Sequence, residues 1–105
     1  MLMTVKLNIG FVATAIAPYY AEEQKVRVNS EHHLQNLLKN FDVNLISFNK
    51  TIFSKDEAIE AEKFFKNKID FLLIQTSSCS AGDQLYPLCN ISNKIGIWAV
   101  PDKEN

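Results

Sequence analysis

The sequence predicts an α/β fold: a flavodoxin- or Rossmann-like three-layer sandwich built on a four-stranded parallel sheet in the order 2-1-3-4. Three observations predict it. Four short apolar runs alternate with segments of helical periodicity, giving β-α-β-α-β-α-β. The runs are close to continuous, which suits strands covered on both faces. Alternation of this kind implies right-handed crossovers, and therefore parallel pairing.

The first strand is expected over residues 6–12, Lys-Leu-Asn-Ile-Gly-Phe-Val. It alternates at first and then turns apolar. A helix follows, because Leu34, Leu37, Leu38 and Phe41 recur at i, i+3, i+4 and i+7 and form one buried face. Asn29 or Ser30 can cap it, or it can begin near Ala21. Residues 43–48 read as the second strand, and 49–53 as the loop after it.

Ser54-Lys-Asp-Glu57 is a capping box: the serine oxygen accepts from the first turn while the glutamate reaches back. Behind it Ala58, Ala61 and Phe65 line one face of the second helix. Residues 71–76 form the third strand. A short third helix follows Ser80, with Leu85, Leu88 and Cys89 turned inward and Pro87 in its first turn. Residues 95–100 form the fourth strand. Ile9, Phe11, Leu45, Leu72, Ile74 and Ile97 are the expected core positions in the sheet. A flavodoxin-like sheet would continue with a further helix and strand, so the fourth strand is expected to leave an open edge.

At 105 residues, with 47% apolar and 22% charged side chains, the sequence fits one globular domain, spanning residues 1–105. A net charge of −1 and scattered lysines give no electrostatic reason to expect nucleic acid or an anionic membrane as partner. No apolar run approaches the roughly 20 residues of a spanning helix. Lys6 and Asn8 interrupt the apolar residues of the N-terminus, unlike a secretory leader, so a cytoplasmic location is the expectation. Cys79 and Cys89 lack the Cys-x-x-Cys spacing of redox or zinc sites and read as reduced thiols.

Open parallel sheets bind ligands beyond the C-terminal ends of their strands. The turn after the third strand, Thr76-Ser-Ser-Cys-Ser-Ala-Gly-Asp83, is the richest such segment. Five hydroxyl or thiol groups stand in a row there, suited to a sugar hydroxyl or a phosphate at a helix start. A capped βα turn asks for the same residue types. The turn after the first strand adds Thr14 and the pair Tyr19 and Tyr20, which can stack on a sugar or cover the core.

No P-loop and no Gly-x-Gly-x-x-Gly fingerprint is present. His32 and His33 point about 100° apart on a helix, unlike the i, i+4 spacing of a metal pair, and read as solvated. Asp70 precedes the third strand, at the end of the sheet opposite the ligand side. Trp98 reads as core packing. No carboxylate pair stands at a strand end, so no metal site is expected in this chain. A receiver domain is disfavoured because the third strand ends in Gln75-Thr76 where a phosphoacceptor aspartate is needed. A flavodoxin is disfavoured because the turn after the first strand is not a phosphate loop.

Several segments together resemble the N-terminal domain of the L-fucose/L-arabinose isomerase family. They are residues 6–12 as its opening strand, 51–66 as its second helix, 70–77 (Asp-Phe-Leu-Leu-Ile-Gln-Thr-Ser) as its third strand and turn, and Ile95-Gly-Ile-Trp-Ala-Val-Pro101 as its strand ending in Trp-Ala-Val-Pro. The likeness spans nearly the whole chain, but only that family's first domain. It implies a part in aldose–ketose isomerisation without the metal and catalytic carboxylates, which in that family lie in later domains with a divalent metal such as manganese. It implies wall residues that close over a sugar held by a neighbouring subunit, and hence self-association or partner domains. The matching positions are Thr14, Tyr19, Ser77, Ser78, Cys79 and Ser80. Family members often carry an aromatic in the last turn, where Cys79 stands here. The competing expectation is a non-catalytic sugar-binding module, similar to one lobe of a periplasmic-type binding protein.

Overall fold

The structure is a computed structural model, and it describes residues 6–15, 20–76 and 86–99, without the side chains of residues 20–24 and 99. The elements run β1 (Leu7–Thr14), α1 (Tyr20–Leu38), β2 (Val43–Ile52), α2 (Lys55–Phe65), β3 (Phe71–Thr76), a 3-10 helix (Tyr86–Asn90) and β4 (Ile95–Ala99). All three strand pairings are parallel, and the order is β2-β1-β3-β4. The sheet is the α/β arrangement that the alternation of runs and helices predicts.

Residues paired in register share a face of the sheet. Val12, Leu72 and Ile74 lie on one face and pack with Phe48, Ile52, Ala58, Ala61, Phe65 and Leu88 into the main core, under α2 and the 3-10 helix. The other face carries Phe11, Ala13, Leu73, Gln75, Gly96 and Trp98, and α1 lies on it. The α2 face is apolar apart from Thr14, which is fully buried on that side. The α1 face buries polar groups as well: Ser30, Thr51 and Gln75.

The capping box forms. Ser54 Oγ accepts from Glu57 N at 3.2 Å, with Ser54 in extended backbone. Glu57 Oε1 reaches back to accept from Phe53 N at 2.7 Å, one residue upstream of the cap. This fixes the start of α2, and Ala58, Ala61 and Phe65 then face the sheet as the spacing predicts. Where α2 ends, Ile69 and Phe65 press on Gly10 of β1. A Cβ there would stand 2.6 Å from Ile69 Cδ1 and 3.0 Å from Phe65 Cε1, so any larger residue would push these side chains off the strand.

Five expectations are corrected. Ile9 and its register partner Leu45 are only half-buried, because they stand near the N-terminal ends of β1 and β2. Leu37 (55% exposed) and Phe41 (66%) do not belong to a buried face: α1 seats Ser30 and Leu34 on the sheet, and Phe41 lies beyond its end. Of the two starts the sequence offers, the one near Ala21 holds, since α1 begins at Tyr20; Asn29 and Ser30 are interior residues and no caps. The third helix is a five-residue 3-10 helix, in which Pro87 and Leu88 are buried but Cys89 is exposed. Ile97 is 61% exposed, because β4 is an edge strand that no described element covers at that position. Leu85 lies outside the described residues.

β2 also runs further than its apolar run suggests, through residues 49–52, which the sequence reads as loop. A bulge explains the difference. Phe11 pairs with Ser47 and Ala13 with Thr51, so β2 spends four residues where β1 spends two. The polar Asn49 and Lys50 sit in the bulge and hide the strand's continuation from a reading of hydrophobic runs.

Candidate functional site

The sheet changes winding direction between β1 and β3. The chain leaves β1 for β2 on one side of it, over the α1 face. It then crosses back to β3 and β4 on the other side, over the α2 face. Outside the C-terminal ends of β1 and β3 the two connections part, and open α/β sheets place ligands in that crevice. The described residues at this switch point are Thr14, Ala15, Gln75 and Thr76, the first three fully buried and Thr76 half-buried.

Thr14 closes β1 and is fully buried. Its register partners are Ile52 on β2 and Thr76 on β3. Its hydroxyl donates to the Gln75 carbonyl oxygen at 3.4 Å, a side-chain tie between the two central strands where their ladder ends. Gln75 points to the opposite face, toward α1. It is fully buried, and its Nε2 donates to Ser30 Oγ across 45 positions of sequence. Its Oε1 has no hydrogen-bond partner among the described residues, and Ser47 Oγ on the same face is in the same state.

Trp98 is the register partner of Gln75 on β4. It is only half-buried, and its ring lies 6.4 Å from that of His33 on α1. The reading of His33 as purely solvated is thus incomplete: the residue is exposed, but its ring flanks the tryptophan at the outer side of α1.

Of the residues singled out in the sequence, Thr14 stands at the crevice. Tyr19, Ser77, Ser78, Cys79 and Ser80 lie outside the described residues. Gln75 and Ser30 were not identified from the sequence. A glutamine inside the apolar run of a central strand was the available signal, since a buried amide needs partners. Asp70 is at the N-terminal end of β3, as expected, bonded to Asn8. Asp56 and Glu57 open α2 near the end of β2, and Glu57 is engaged in the cap.

Among the described residues, no group of three or more His, Cys, Asp or Glu side chains is placed to hold a metal ion. No described helix is long and apolar enough to cross a membrane. Two shallow concavities border Asp70, Ser92 and Lys94, and Ile59, Lys63 and Lys66; neither touches Thr14 or Gln75. Comparison of the chain with protein-family models, with curated proteins and with solved structures finds no match.

Proposed function

We propose that this chain is a sugar-contacting domain similar to the N-terminal domain of L-fucose and L-arabinose isomerases. In this reading it walls off a substrate whose metal and catalytic carboxylates are supplied by other domains or a neighbouring subunit. The observation that supports it is the chemistry at the β1/β3 crevice. Thr14, Gln75 and Thr76 are uncharged hydrogen-bonding residues, gathered where an open α/β sheet takes its ligand. Neutral donors and acceptors suit a polyol, whereas a phosphate or carboxylate ligand calls for cationic partners.

Isomerisation moves a proton or hydride between adjacent carbons. It requires acid and base groups within roughly 2.6–3.2 Å of the reacting atoms. In the described part of the crevice the side chains are a threonine pair and an amide, none of which serves as a base at neutral pH. The function of this chain is then to orient hydroxyls and exclude water, with proton transfer left to its partners.

An assay of the purified chain with L-fucose, L-arabinose and manganese tests this, followed by mixing with protein that supplies the downstream isomerase domains. Turnover only in the mixture is the expected result. Turnover by the chain alone overturns the proposal. The same neutral crevice also suits a non-catalytic sugar-binding lobe, which would bind sugar without any isomerase partner and give no turnover in the mixture.

A further inference from the structure

We propose that the side-chain amide of Gln75 reads a hydroxyl of a neutral polyol, with Ser30 of α1 as the positioning residue that holds the amide in place. This rests on the sugar-contacting function above and narrows it to one group.

Gln75 is fully buried, yet Ser30 Oγ serves only one of its two polar atoms, and Oε1 is left without a donor among the described residues. A buried carbonyl in this state destabilises the folded chain, and native structures retain few of them. Turning the amide over does not remove the problem. Ser30 would then donate to Oε1 and leave the NH2 group unserved. A hydroxyl, which both donates and accepts, completes the site in either setting. A carboxylate or an ammonium ion completes it in only one.

The surroundings favour a neutral ligand. The register partners of Gln75 are Ala13 and Trp98, the first small and the second a flat apolar surface with one N–H. The nearest charged side chain one turn along α1, Arg27, is paired with Glu31 at 3.3 Å. Access is also accounted for. Ser30 lies ten residues into α1, so about 15 Å of helix precedes it. Among the described side chains of α1, only Ser30 and Leu34 are buried. Few of the described side chains of the helix that covers Gln75 are therefore buried, which favours its yielding to a ligand entering from the strand ends.

The test is a titration of the 15N-labelled chain with L-arabinose, and separately with glycerol. The Gln75 side-chain NH2 resonances and the fluorescence of Trp98, the chain's single tryptophan, are followed. A saturable shift of both is expected with L-arabinose. Gln75→Met should weaken binding roughly tenfold, the worth of about one net hydrogen bond, without lowering the melting temperature of the sugar-free protein. Ser30→Ala should weaken binding by less, because the amide remains but is no longer held. Unchanged affinity in Gln75→Met, or Gln75 resonances that stay still while sugar binds elsewhere, overturns this inference and leaves the sugar-contacting function standing. No saturable binding to the wild-type chain overturns both. If Gln75→Met fails to fold, the wild-type resonances decide.

Discussion

Asn8 and Asp70 hold each other by two hydrogen bonds across the start of the β1–β3 ladder. Asp70 N donates to Asn8 O at 2.7 Å, and Asn8 N donates to Asp70 Oδ2 at 2.9 Å. The Asp70 carbonyl in turn accepts from Ser92 Oγ at 3.1 Å, just before β4. One residue thus ties the N-terminal ends of three strands, at the end of the sheet away from the candidate site. Asp70→Ala should lower stability by about 1 kcal/mol, the net worth of the lost side-chain bond at an exposed position. Chemical denaturation should show a lower midpoint with an unchanged slope, and sugar affinity should not move.

The two strand glycines differ in what an added methyl meets. At Gly10 it would stand 2.6 Å from Ile69 Cδ1 and 3.0 Å from Phe65 Cε1, a fully buried ring. At Gly96 it would stand 2.8 Å from Phe71 Cζ, on a half-buried ring that has room to turn. Gly10→Ala should cost about 1–3 kcal/mol, as overpacking of a filled core does, and Gly96→Ala clearly less. Thermal unfolding of the two variants side by side checks the order; equal losses would contradict it.

Leu34 and Leu37 test which side of α1 meets the sheet. Leu34 is buried and Leu37 is more than half exposed. Leu34→Ala should cost about 2–3 kcal/mol, and Leu37→Ala within roughly 0.5 kcal/mol of nothing. The face suggested by the apolar spacing alone would make both changes costly.

The capping box of α2 should be worth about 1 kcal/mol through Ser54. Ser54→Ala removes the acceptor of Glu57 N, and Ser54→Asp retains one. Denaturant midpoints should fall for alanine and be largely kept for aspartate. Loss of stability in both would mean that the serine acts through something other than its cap.

Among the described residues β4 is an edge strand, which makes a prediction about association. Ile95-Gly-Ile-Trp-Ala99 carries no charge and no proline, and Ile97 is exposed, whereas the opposite edge strand β2 is bent by a bulge holding Asn49 and Lys50. Ile97→Lys should reduce concentration-dependent association in light scattering while leaving the melting temperature within a few degrees, as a surface change does.

The strand and helix alternation, the parallel order 2-1-3-4 and the start of α2 were legible in the sequence. Each is written locally: near-continuous apolar runs, the connection lengths that force crossovers, and a serine and glutamate three residues apart. Less was legible at the site. The end of β1 was legible only to within two residues: its run stops at Val12, but the strand continues to Thr14, and nothing local pairs Gln75 with Ser30, 45 positions earlier.

The face of α1 was decided by tertiary structure for the same reason. Val28, Leu34, Leu37, Leu38 and Phe41 spread around the helix and past its end, so the seating on the sheet selected Leu34 and Ser30 and left Leu37 in water. Ile97 sits in an apolar run like those of the inner strands, but burial depends on a neighbour, and β4 is last in the sheet. Local sequence determines which backbone a segment adopts, because hydrogen bonds and rotamers act within a few residues. Which side chains leave water is settled only when distant elements meet.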